Sequence, residues 1–394
     1  MQSLFTTVLR SGLLISSIFT SVISAETVLP LPSGPYAVTY TTLNLTDESR
    51  VDPLEPSFGK RQLMFSFFYP VEQSTCEQTC TIPYIPPKTA PYIDEWLVSL
   101  GIKDIPSGDL GRIQMQVCCK TNGKENTDVS KVPLVFVLQG FTGTRFLHGA
   151  LAQALASNGF AVVTLDHTFE SAAVEFPDGT IAHSHNNTSW DPTIPGRLDP
   201  LQVIRVEDVS FVLSQLGSKE VAAKLVPGAS CGFNNESAAA LGHSFGGSTS
   251  IAMLMNDTRF VGGLNLDGAQ FGEITDTQQA GVLFGTTGVT PYPHNSTVDP
   301  TWAETLQHLK GWKAEIGLKN ISHFGFTDMA YLYKSGGLGI SREYADTLIG
   351  PLDGGRSSSI VRAYATAFLN FVLRGKNTTL FDEPSEEFPE IVVL

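Results

Sequence analysis

The chain has 394 residues, of which 42% are hydrophobic and 16% are charged, so a large apolar core is expected and a mainly disordered protein is excluded. Asp and Glu total 39 against 25 Lys and Arg, which gives a formal net charge of −14. DNA, RNA and anionic membrane surfaces would repel this charge, so we do not expect a nucleic-acid-binding protein.

The first 25 residues have the pattern of a secretory signal peptide. Arg10 supplies a positive charge, an apolar run follows over 13–23, and Ser24-Ala25 offers a small-residue cleavage site. The run is shorter than the roughly 20 residues of a membrane-spanning helix, so a retained membrane anchor is the weaker alternative. We therefore expect a secreted, extracellular protein whose mature chain covers 26–394.

Glycosylation motifs and cysteines agree with an oxidising compartment. Motifs of the type Asn-x-Ser/Thr, which predict glycosylated surface loops, are at Asn44, Asn186, Asn187, Asn235, Asn256, Asn295, Asn320 and Asn377. The five cysteines are Cys76, Cys80, Cys118, Cys119 and Cys231. We expect two disulfides that brace the N-terminal part and one free thiol, with the pairing left open. A zinc site is the weaker alternative, because the first two cysteines have no second metal-binding pair.

The N-terminal third is predicted to be extended chain followed by an insertion. Apolar residues alternate from Tyr36 to Leu45, and the aromatic-rich segment 62–69 ends before Pro70, which together predict antiparallel edge strands. Residues 71–130 contain four cysteines and Pro-rich turns, and we interpret them as an irregular surface insertion.

From Pro133 the pattern alternates between buried strands and amphipathic helices. Strands are predicted at 134–138, 160–165, 238–241, 261–266, 281–284 and 314–318. Helices are predicted around 147–155, 201–216, 248–254, 301–309 and 360–374. Repeated strand–helix units predict a single α/β domain, with a mostly parallel sheet, antiparallel N-terminal strands and helices on both faces.

One motif, Gly242-His243-Ser244-Phe245-Gly246, carries the chemistry. It lies between a predicted strand and a predicted helix, which is the setting of a G-x-S-x-G nucleophile elbow. The serine occupies a strained turn, and side chains two positions to either side would collide with neighbouring elements. We therefore predict Ser244 as a nucleophile.

A nucleophilic serine needs an imidazole as base and a carboxylate to orient that imidazole, in the chain order Ser, acid, His. Asp267 directly follows the strand 261–266, whereas the next strand is followed by no acid until Asp299. We therefore predict Asp267 as the acid, the alternative being an ordinary turn aspartate.

Three histidines are possible bases. His308 lies in an amphipathic helix and is expected at the surface or in packing, and His294 lies in a Pro-rich turn. His323 follows the last predicted strand, so we predict it as the base.

The oxyanion formed during acyl transfer needs two backbone N–H donors. The first is expected from Phe245, directly after the nucleophile. The second is expected from Phe141, in the loop 139–143 that follows a buried strand. Both donors are main-chain groups, so bulky side chains do not matter for the role.

Three further polar features of the sequence have structural interpretations. His183-Ser184-His185 could be a metal-binding pair, but a glycan-bearing loop explains it as well, and no metal site or cofactor is predicted. His148 is expected to be a hydrogen-bonded surface or core histidine. Asp166-His167 is expected either at the mouth of the site or in a turn.

The nucleophile elbow, the predicted acid and base, and several segments around them resemble the plasma-type platelet-activating-factor acetylhydrolase family, the lipoprotein-associated phospholipases. The matching segments are Gly34-Pro35-Tyr36, Phe68-Tyr69-Pro70, 134–143, Gly159-Phe160, 242–247, Asp267 and His323. The short interval from nucleophile to acid resembles this family and differs from cutinases and most lipases. Gln139 departs from the family, which commonly places His there, and this departure concerns substrate preference more than chemistry.

The resemblance implies an α/β-hydrolase fold and a catalytic triad of Ser244, Asp267 and His323. It also implies calcium-independent hydrolysis of short or oxidised sn-2 acyl groups of phospholipids. We expect no cofactor and no obligate protein partner, and we expect peripheral contact with lipid surfaces. The alternatives are a broad-specificity secreted carboxylesterase or cutinase-like polyester hydrolase, and a non-catalytic binding protein on a hydrolase scaffold.

Overall fold

The computed structural model describes residues 26–102, 108, 110–122, 126–184, 191, 193–194, 196–287 and 294–394. The predicted signal peptide, His185 and the motifs at Asn186 and Asn187 lie outside these residues. The described strands are β1 (Thr27–Val28), β2 (Tyr36–Val51), β3 (Lys60–Glu72), β4 (Cys76–Pro83), β5 (Ile113–Thr121), β6 (Leu134–Leu138), β7 (Ala161–Asp166), β8 (Ala173–Glu175), β9 (Ile181–His183), β10 (Ala238–His243), β11 (Phe260–Leu266), β12 (Ala280–Thr287), β13 (Lys313–Lys319) and β14 (Ile391–Val393). The described helices are α1 (Ala90–Ser99), α2 (Gly149–Ser157), α3 (Asp199–Leu216), α4 (Lys219–Leu225), α5 (Phe245–Asn256), α6 (Pro300–His308), α7 (Asp328–Lys334), α8 (Arg342–Leu348) and α9 (Gly354–Arg374).

Nine strands form the central sheet, in the order β14-β13-β12-β11-β10-β6-β7-β3-β2. All neighbouring pairs from β13 to β7 are parallel, whereas β3 and β2 are antiparallel at one edge. This arrangement confirms the predicted α/β fold with antiparallel N-terminal strands. The antiparallel β14 at the other edge was not predicted, because three residues are too few for a periodic pattern.

Helices cover both faces of the sheet, which explains why its parallel strands are almost continuously apolar. Leu155 of α2 and Phe368 of α9 are buried on one face, and Val212 of α3 and Ile251 of α5 are buried on the other. The carboxyl ends of the parallel strands therefore form one open edge, where side chains from successive loops meet.

Helix α9 begins six residues earlier than the predicted range of 360–374. The side chain of Asp353 accepts a hydrogen bond from the Arg356 N–H and starts the helix at Gly354. Gly375 follows the last residue of the helix in the left-handed conformation (φ 63°), which is common for a glycine at this position.

The prediction that 71–130 is irregular was wrong. The segment contains the antiparallel pair β4–β5, which forms a second sheet together with β1. In the sequence, helix α1 lies between β4 and β5. On β5, Ile113, Met115 and Val117 are buried in strict alternation, so the strand period was present in the sequence. The cysteines and Pro-rich turns around this strand favour an irregular segment, and for that reason the alternation was missed.

Two disulfides cross-link β4 to β5, one between Cys76 and Cys118 and one between Cys80 and Cys119. Cys231 is the free cysteine and is half-buried. Disulfide bracing of the N-terminal part is thereby confirmed, and the cysteines of the alternative zinc site are used in the two bridges.

Removing both bridges between β4 and β5 should lower stability through the unfolded state, because either bridge alone keeps the two segments joined. The bridges span 42 and 39 residues of sequence, and a cross-link of this length typically stabilises a fold by about 2–4 kcal/mol. We expect the variant with all four bridging cysteines replaced by serine to lose a free energy of unfolding of this size in urea titrations without reductant. Cys231→Ser is the control and should keep the wild-type midpoint. Equal midpoints for all three proteins would contradict the prediction.

The glycosylation motifs that are described differ in exposure. Asn256, Asn320 and Asn377 are exposed, and Asn235 and Asn295 are half-buried. Asn44 lies on strand β2 rather than in the expected loop and is also half-buried. Glycosylation at these sites stays a prediction. No helix within the described residues combines the length and the hydropathy that a membrane span requires.

Candidate active site

Ser244 occupies a sharp turn between β10 and α5, with a left-handed φ of 56°. Its N–H donates a hydrogen bond of 2.8 Å to the carbonyl oxygen of Leu266 on the neighbouring strand. A Cβ added to Gly242 would lie 2.3 Å from the carbonyl oxygen of Gly246, and one added to Gly246 would lie 2.2 Å from that of Leu138. The collisions predicted from the sequence are therefore present, and only glycine fits at both positions.

Asp267 and His323 form a hydrogen-bonded pair at the same edge of the sheet. The Oδ2 atom of Asp267 lies 2.6 Å from Nδ1 of His323, and its Oδ1 accepts a 2.8 Å hydrogen bond from the Thr286 N–H. An ionised carboxylate only accepts, so Nδ1 of His323 carries the proton and Nε2 is left free to accept one. The pair thus has the tautomer that a general base requires.

Asp267 is held as a carboxylate although it is 1% exposed. Burial alone would raise its pKa, but the adjacent His294 and His323 rings hold the pKa of Asp267 well below its usual range. Its backbone has a left-handed φ of 59°, which an aspartate tolerates better than most residues. The turn is stabilised by Asn265, whose side chain bonds both the N–H and the carbonyl oxygen of Gly268.

His243, the residue before the nucleophile, fixes the loop that carries His323. Its Nε2–H donates to the carbonyl oxygen of His323 at 2.9 Å, and the two ring centroids are 4.3 Å apart. Burial, with the nearby rings of His323 and His148, keeps the pKa of His243 well below its usual value, so the ring is neutral. No role for His243 is predicted from the sequence, although a polar residue inside the elbow is a signal that could indicate one.

The structure therefore brings the three predicted triad residues to one place. Among the described residues, no hydrogen bond joins the Ser244 hydroxyl to the His323 ring. Catalytic hydrogen bonds are often long in unliganded enzymes and shorten when substrate binds, so this geometry is compatible with proton transfer.

The loop that carries Phe141 lies directly against Ser244, the predicted nucleophile. A Cβ added to Gly140 would lie 3.2 Å from the Cβ of Ser244. Phe245 is the first residue of α5, where the helix leaves the N–H without an internal acceptor. Within the described residues, neither the Phe141 N–H nor the Phe245 N–H donates to another protein group. Both predicted oxyanion donors are therefore available to a ligand.

A second histidine, which the sequence analysis set aside, also contacts the predicted acid. Nδ1 of His294 lies 3.1 Å from Oδ1 of Asp267, although the angle is too poor for a hydrogen bond, and its Nε2 lies 3.8 Å from Asp299. The His294 ring stacks on Trp302 at 5.7 Å. No local pattern could reveal this contact, because it depends on where the loop after β12 returns.

Asp267, His294 and His323 are also the described residues whose spacing would suit a metal ion, with ligand atoms within 4.8 Å of one another. A metal on Nδ1 of His323 would displace the proton that this nitrogen shares with Asp267. Metal binding and the tautomer of a general base therefore exclude each other here.

The remaining predicted residues lie outside the triad. His308 is at the surface, as expected, and pairs with Asp276 at 2.7 Å. His183 is exposed and packs on a tyrosine, Tyr92. The expectation that His148 is hydrogen-bonded was wrong, because it is buried and neither ring nitrogen has a partner among the described residues.

Asp166 and His167 are structural residues rather than residues of the site mouth. Asp166 is buried in an ion pair with Arg145, and Nδ1 of His167 lies 2.9 Å from Asp208. Both residues lie at the carboxyl end of β7, but they are 0% exposed, so neither side chain lines an open mouth of the site.

The His294 contact predicts a pH-dependent contribution to stability. Burial disfavours the charged ring, but Asp267 and Asp299 outweigh it and raise the pKa of His294 above its usual value. Such a group stabilises the fold fully below its unfolded-state pKa of 6.5, and the contribution is lost as the pH rises through the higher folded-state pKa. His294→Gln should therefore cost more free energy of unfolding at about pH 5.5 than at about pH 9, measured in urea. A cost that is equal at both pH values, or larger at the higher one, would contradict this, and His183→Gln is the control.

Comparisons with known proteins show which family the chain is similar to. The family profile described as platelet-activating factor acetylhydrolase, isoform II, matches residues 22–214 and 231–335. A probable 1-alkyl-2-acetylglycerophosphocholine esterase from Arthroderma benhamiae is 31% identical over 97% of both chains. A platelet-activating factor acetylhydrolase from Cavia porcellus is 27% identical over 66% of this chain and 58% of its own.

Among solved structures, the ferulic acid esterase from Streptomyces cinnamoneus superimposes with a TM-score of 0.73 and 26% identity, covering 94% of this chain and 100% of that one. The predicted α/β-hydrolase fold and the enzyme class, a carboxylic-ester hydrolase, are confirmed. The match of the family profile over most of the sequence, with a relative aligned almost end to end, shows that the chain belongs to the platelet-activating factor acetylhydrolase isoform II family.

Proposed function

We propose that the protein hydrolyses short or oxidised sn-2 acyl groups of phospholipids through an acyl-enzyme on Ser244, without calcium. The observation that carries the proposal is the 2.6 Å hydrogen bond between Asp267 and His323 at the edge of the sheet that presents Ser244. The names of the Arthroderma and Cavia relatives support the acetylated phospholipid as substrate class.

In the proposed mechanism, Nε2 of His323 takes the proton of the Ser244 hydroxyl as its oxygen attacks the acyl carbonyl. The negative charge on the carbonyl oxygen is stabilised by the Phe141 and Phe245 N–H groups. His323 then gives the proton to the leaving lysophospholipid oxygen, and the ester bond breaks. Water attacks the acyl-enzyme with His323 as base again, which releases the carboxylic acid and restores Ser244.

Apolar side chains beside the oxyanion loop support a substrate with an apolar acyl or alkyl part. The rings of Phe141 and Phe271 pack edge-to-face on Phe245, with centroids at 6.2 Å and 5.3 Å, and Leu198 and Leu201 belong to the same cluster. The two leucines and Phe245 are buried, whereas Phe141 and Phe271 keep part of their surface exposed, and these two rings favour burial of a short hydrocarbon group next to Ser244.

The test is release of acetate from a 1-alkyl-2-acetyl phospholipid by the purified protein in the presence of a calcium chelator. We expect turnover of this lipid to exceed that of its analogue with a long sn-2 chain. Labelling of Ser244 by a fluorophosphonate, located by peptide mass spectrometry, tests the nucleophile independently. Loss of activity on chelation, or no labelling, would reject the proposal, and the second outcome would favour a non-catalytic binding protein.

The second candidate is a broad carboxylesterase, and the likeness to the Streptomyces ferulic acid esterase favours it. His323 is 38% exposed, so the site is open enough for esters of several shapes. A nitrophenyl ester, a feruloyl ester and a polyester film assayed beside the acetyl phospholipid would separate the two functions.

We further propose that the protein is secreted, on the basis of the N-terminal 25 residues and the two disulfides. The expected result is protein in the culture medium that starts near Glu26 by N-terminal sequencing. Retention in the cell with the first residues intact would reject it.

A further inference from the structure

A buried arginine, Arg205 of α3, lies behind the loop that carries the predicted oxyanion donor. The residue is 0% exposed. Its Nη1 donates to the carbonyl oxygen of Gln139 at 2.7 Å, and its Nη2 donates to that of Gly140 at 3.1 Å. One rigid guanidinium therefore binds two consecutive carbonyl groups of the loop.

These two hydrogen bonds determine where the next N–H groups point. In a trans peptide the C=O of one residue and the N–H of the next are antiparallel, and the described chain has no cis peptides. Because the Gly140 carbonyl points towards Arg205, the Phe141 N–H points away from it. That N–H is the predicted oxyanion donor, and the loop rests on the Ser244 side chain.

Arg205 also contacts the second predicted donor residue. Its guanidinium carbon lies 4.3 Å from the centroid of the Phe245 ring, in a cation–π arrangement. The N–H of Phe245 is fixed by the elbow, and its ring is the surface on which the guanidinium rests. One side chain thus sets the position of the loop relative to the helix start.

Glu170 completes the arrangement. Its two carboxylate oxygens accept from Arg205 at 2.6 Å and 2.5 Å, and Oε1 also accepts from the Thr142 N–H at 3.1 Å. Thr142 has a left-handed φ of 56°, which is costly for a β-branched residue. Trp96, which donates to the Thr142 hydroxyl at 2.7 Å, holds the same residue from the other side.

We propose that Arg205, with Glu170, is a positioning residue for the oxyanion hole: it turns the 140–141 peptide so that the Phe141 N–H faces the reacting carbonyl. An ion pair that served the fold alone would not need to bind two consecutive loop carbonyls. The inference rests on the proposed serine-hydrolase function, and goes beyond it by assigning a role to a side chain that does not touch substrate.

The test compares Arg205→Lys with Arg356→Lys. Lysine keeps the charge for Glu170, but its three N–H donors lie on one atom and cannot replace the four hydrogen bonds that Arg205 makes to Glu170 and to the two carbonyls. Because the loop is then held less firmly, we expect kcat to fall about 100-fold with little change in KM. Arg356 is a control for the loss of bidentate binding at a more exposed position, because it also binds a carboxylate bidentately, that of Glu390, and stacks on a phenylalanine, Phe388. Its variant should lose stability without losing kcat.

A second readout separates positioning from stability. The affinity for an alkyl trifluoromethyl ketone, which forms a tetrahedral adduct with the serine, should fall by the same factor as kcat/KM. Arg205→Met/Glu170→Gln removes both charges together and leaves no unpaired buried ion, so it should show the same loss in a stably folded protein.

The outcomes distinguish this inference from the proposed function. If the wild-type protein and Arg356→Lys hydrolyse the acetyl phospholipid but Arg205→Lys keeps kcat within about threefold, the inference is wrong and the function stands. Failure of both Arg205 variants to fold would also overturn it, since the pair would then serve the fold. No hydrolysis by the wild type would reject the function itself.

Discussion

Replacing Ser244 with alanine is expected to lower kcat for acetyl phospholipid hydrolysis by about 10⁶-fold, because the proposed acyl-enzyme forms on the hydroxyl that alanine lacks. The fold should be unaffected or slightly more stable. The serine is held at a φ of 56° for function, and its described backbone contacts, to Leu266 and to Ser248, involve main-chain atoms that alanine retains. Stopped assays of acetate release and urea unfolding of the same preparation measure the two quantities.

A suitable control is Ser359→Ala, on the exposed side of α9, where the hydroxyl bonds only within its own helix. This variant should keep the wild-type rate. A fluorophosphonate should not react with the Ser244→Ala preparation, and this result excludes contamination by active enzyme. If such a preparation retained more than about a thousandth of the wild-type rate, Ser244 would not be the nucleophile.

Replacing Asp267 with asparagine should lower kcat by about 10⁴-fold while leaving the fold intact. The Thr286 N–H donates to Oδ1, so the amide oxygen of the new side chain should take that position. Its NH₂ group then faces Nδ1 of His323 and forces the proton of the ring onto Nε2. The imidazole can no longer accept a proton from Ser244, and the loss should appear in kcat rather than in KM.

The chain offers a matched control for this change. Asp276 pairs with Nδ1 of His308 at 2.7 Å, the same pairing of atoms at the surface and away from Ser244. Asp276→Asn should leave kcat unchanged. A similar small loss in both variants would mean that the Asp267–His323 pair contributes to stability only, and would remove the basis of the proposed mechanism.

Local patterns predicted the parts of the fold whose residues are close in sequence. Strand β6 lies at the predicted 134–138 because its five apolar residues are buried on both faces. The pair β4–β5 was missed because cross-strand pairing and disulfides join residues that are about 40 positions apart in the chain. Tertiary pairing of this kind leaves only the alternation of Ile113, Met115 and Val117 as a local trace.

In the candidate site, too, local patterns predicted some residues and could not predict others. Ser244 and Asp267 each follow a readable strand, so their meeting at one edge of the sheet could be predicted from topology. His294 and Arg205 reach the site from a loop and from a helix, and nothing in their own neighbourhoods indicates a contact with Asp267 or with the oxyanion loop. Their roles depend on the folded path of the chain and become visible only in the structure.

Ser244, Asp267 and Thr142 all have left-handed backbone conformations without being glycine. Each such residue costs on the order of 1–3 kcal/mol and persists only where its surroundings impose it. None of the three residues would keep its left-handed backbone conformation in an isolated peptide, because the restraints come from β11, β12 and the segment around Glu170. The catalytic site therefore forms only when the whole domain folds cooperatively. A fragment of this chain should retain no functional part of the site.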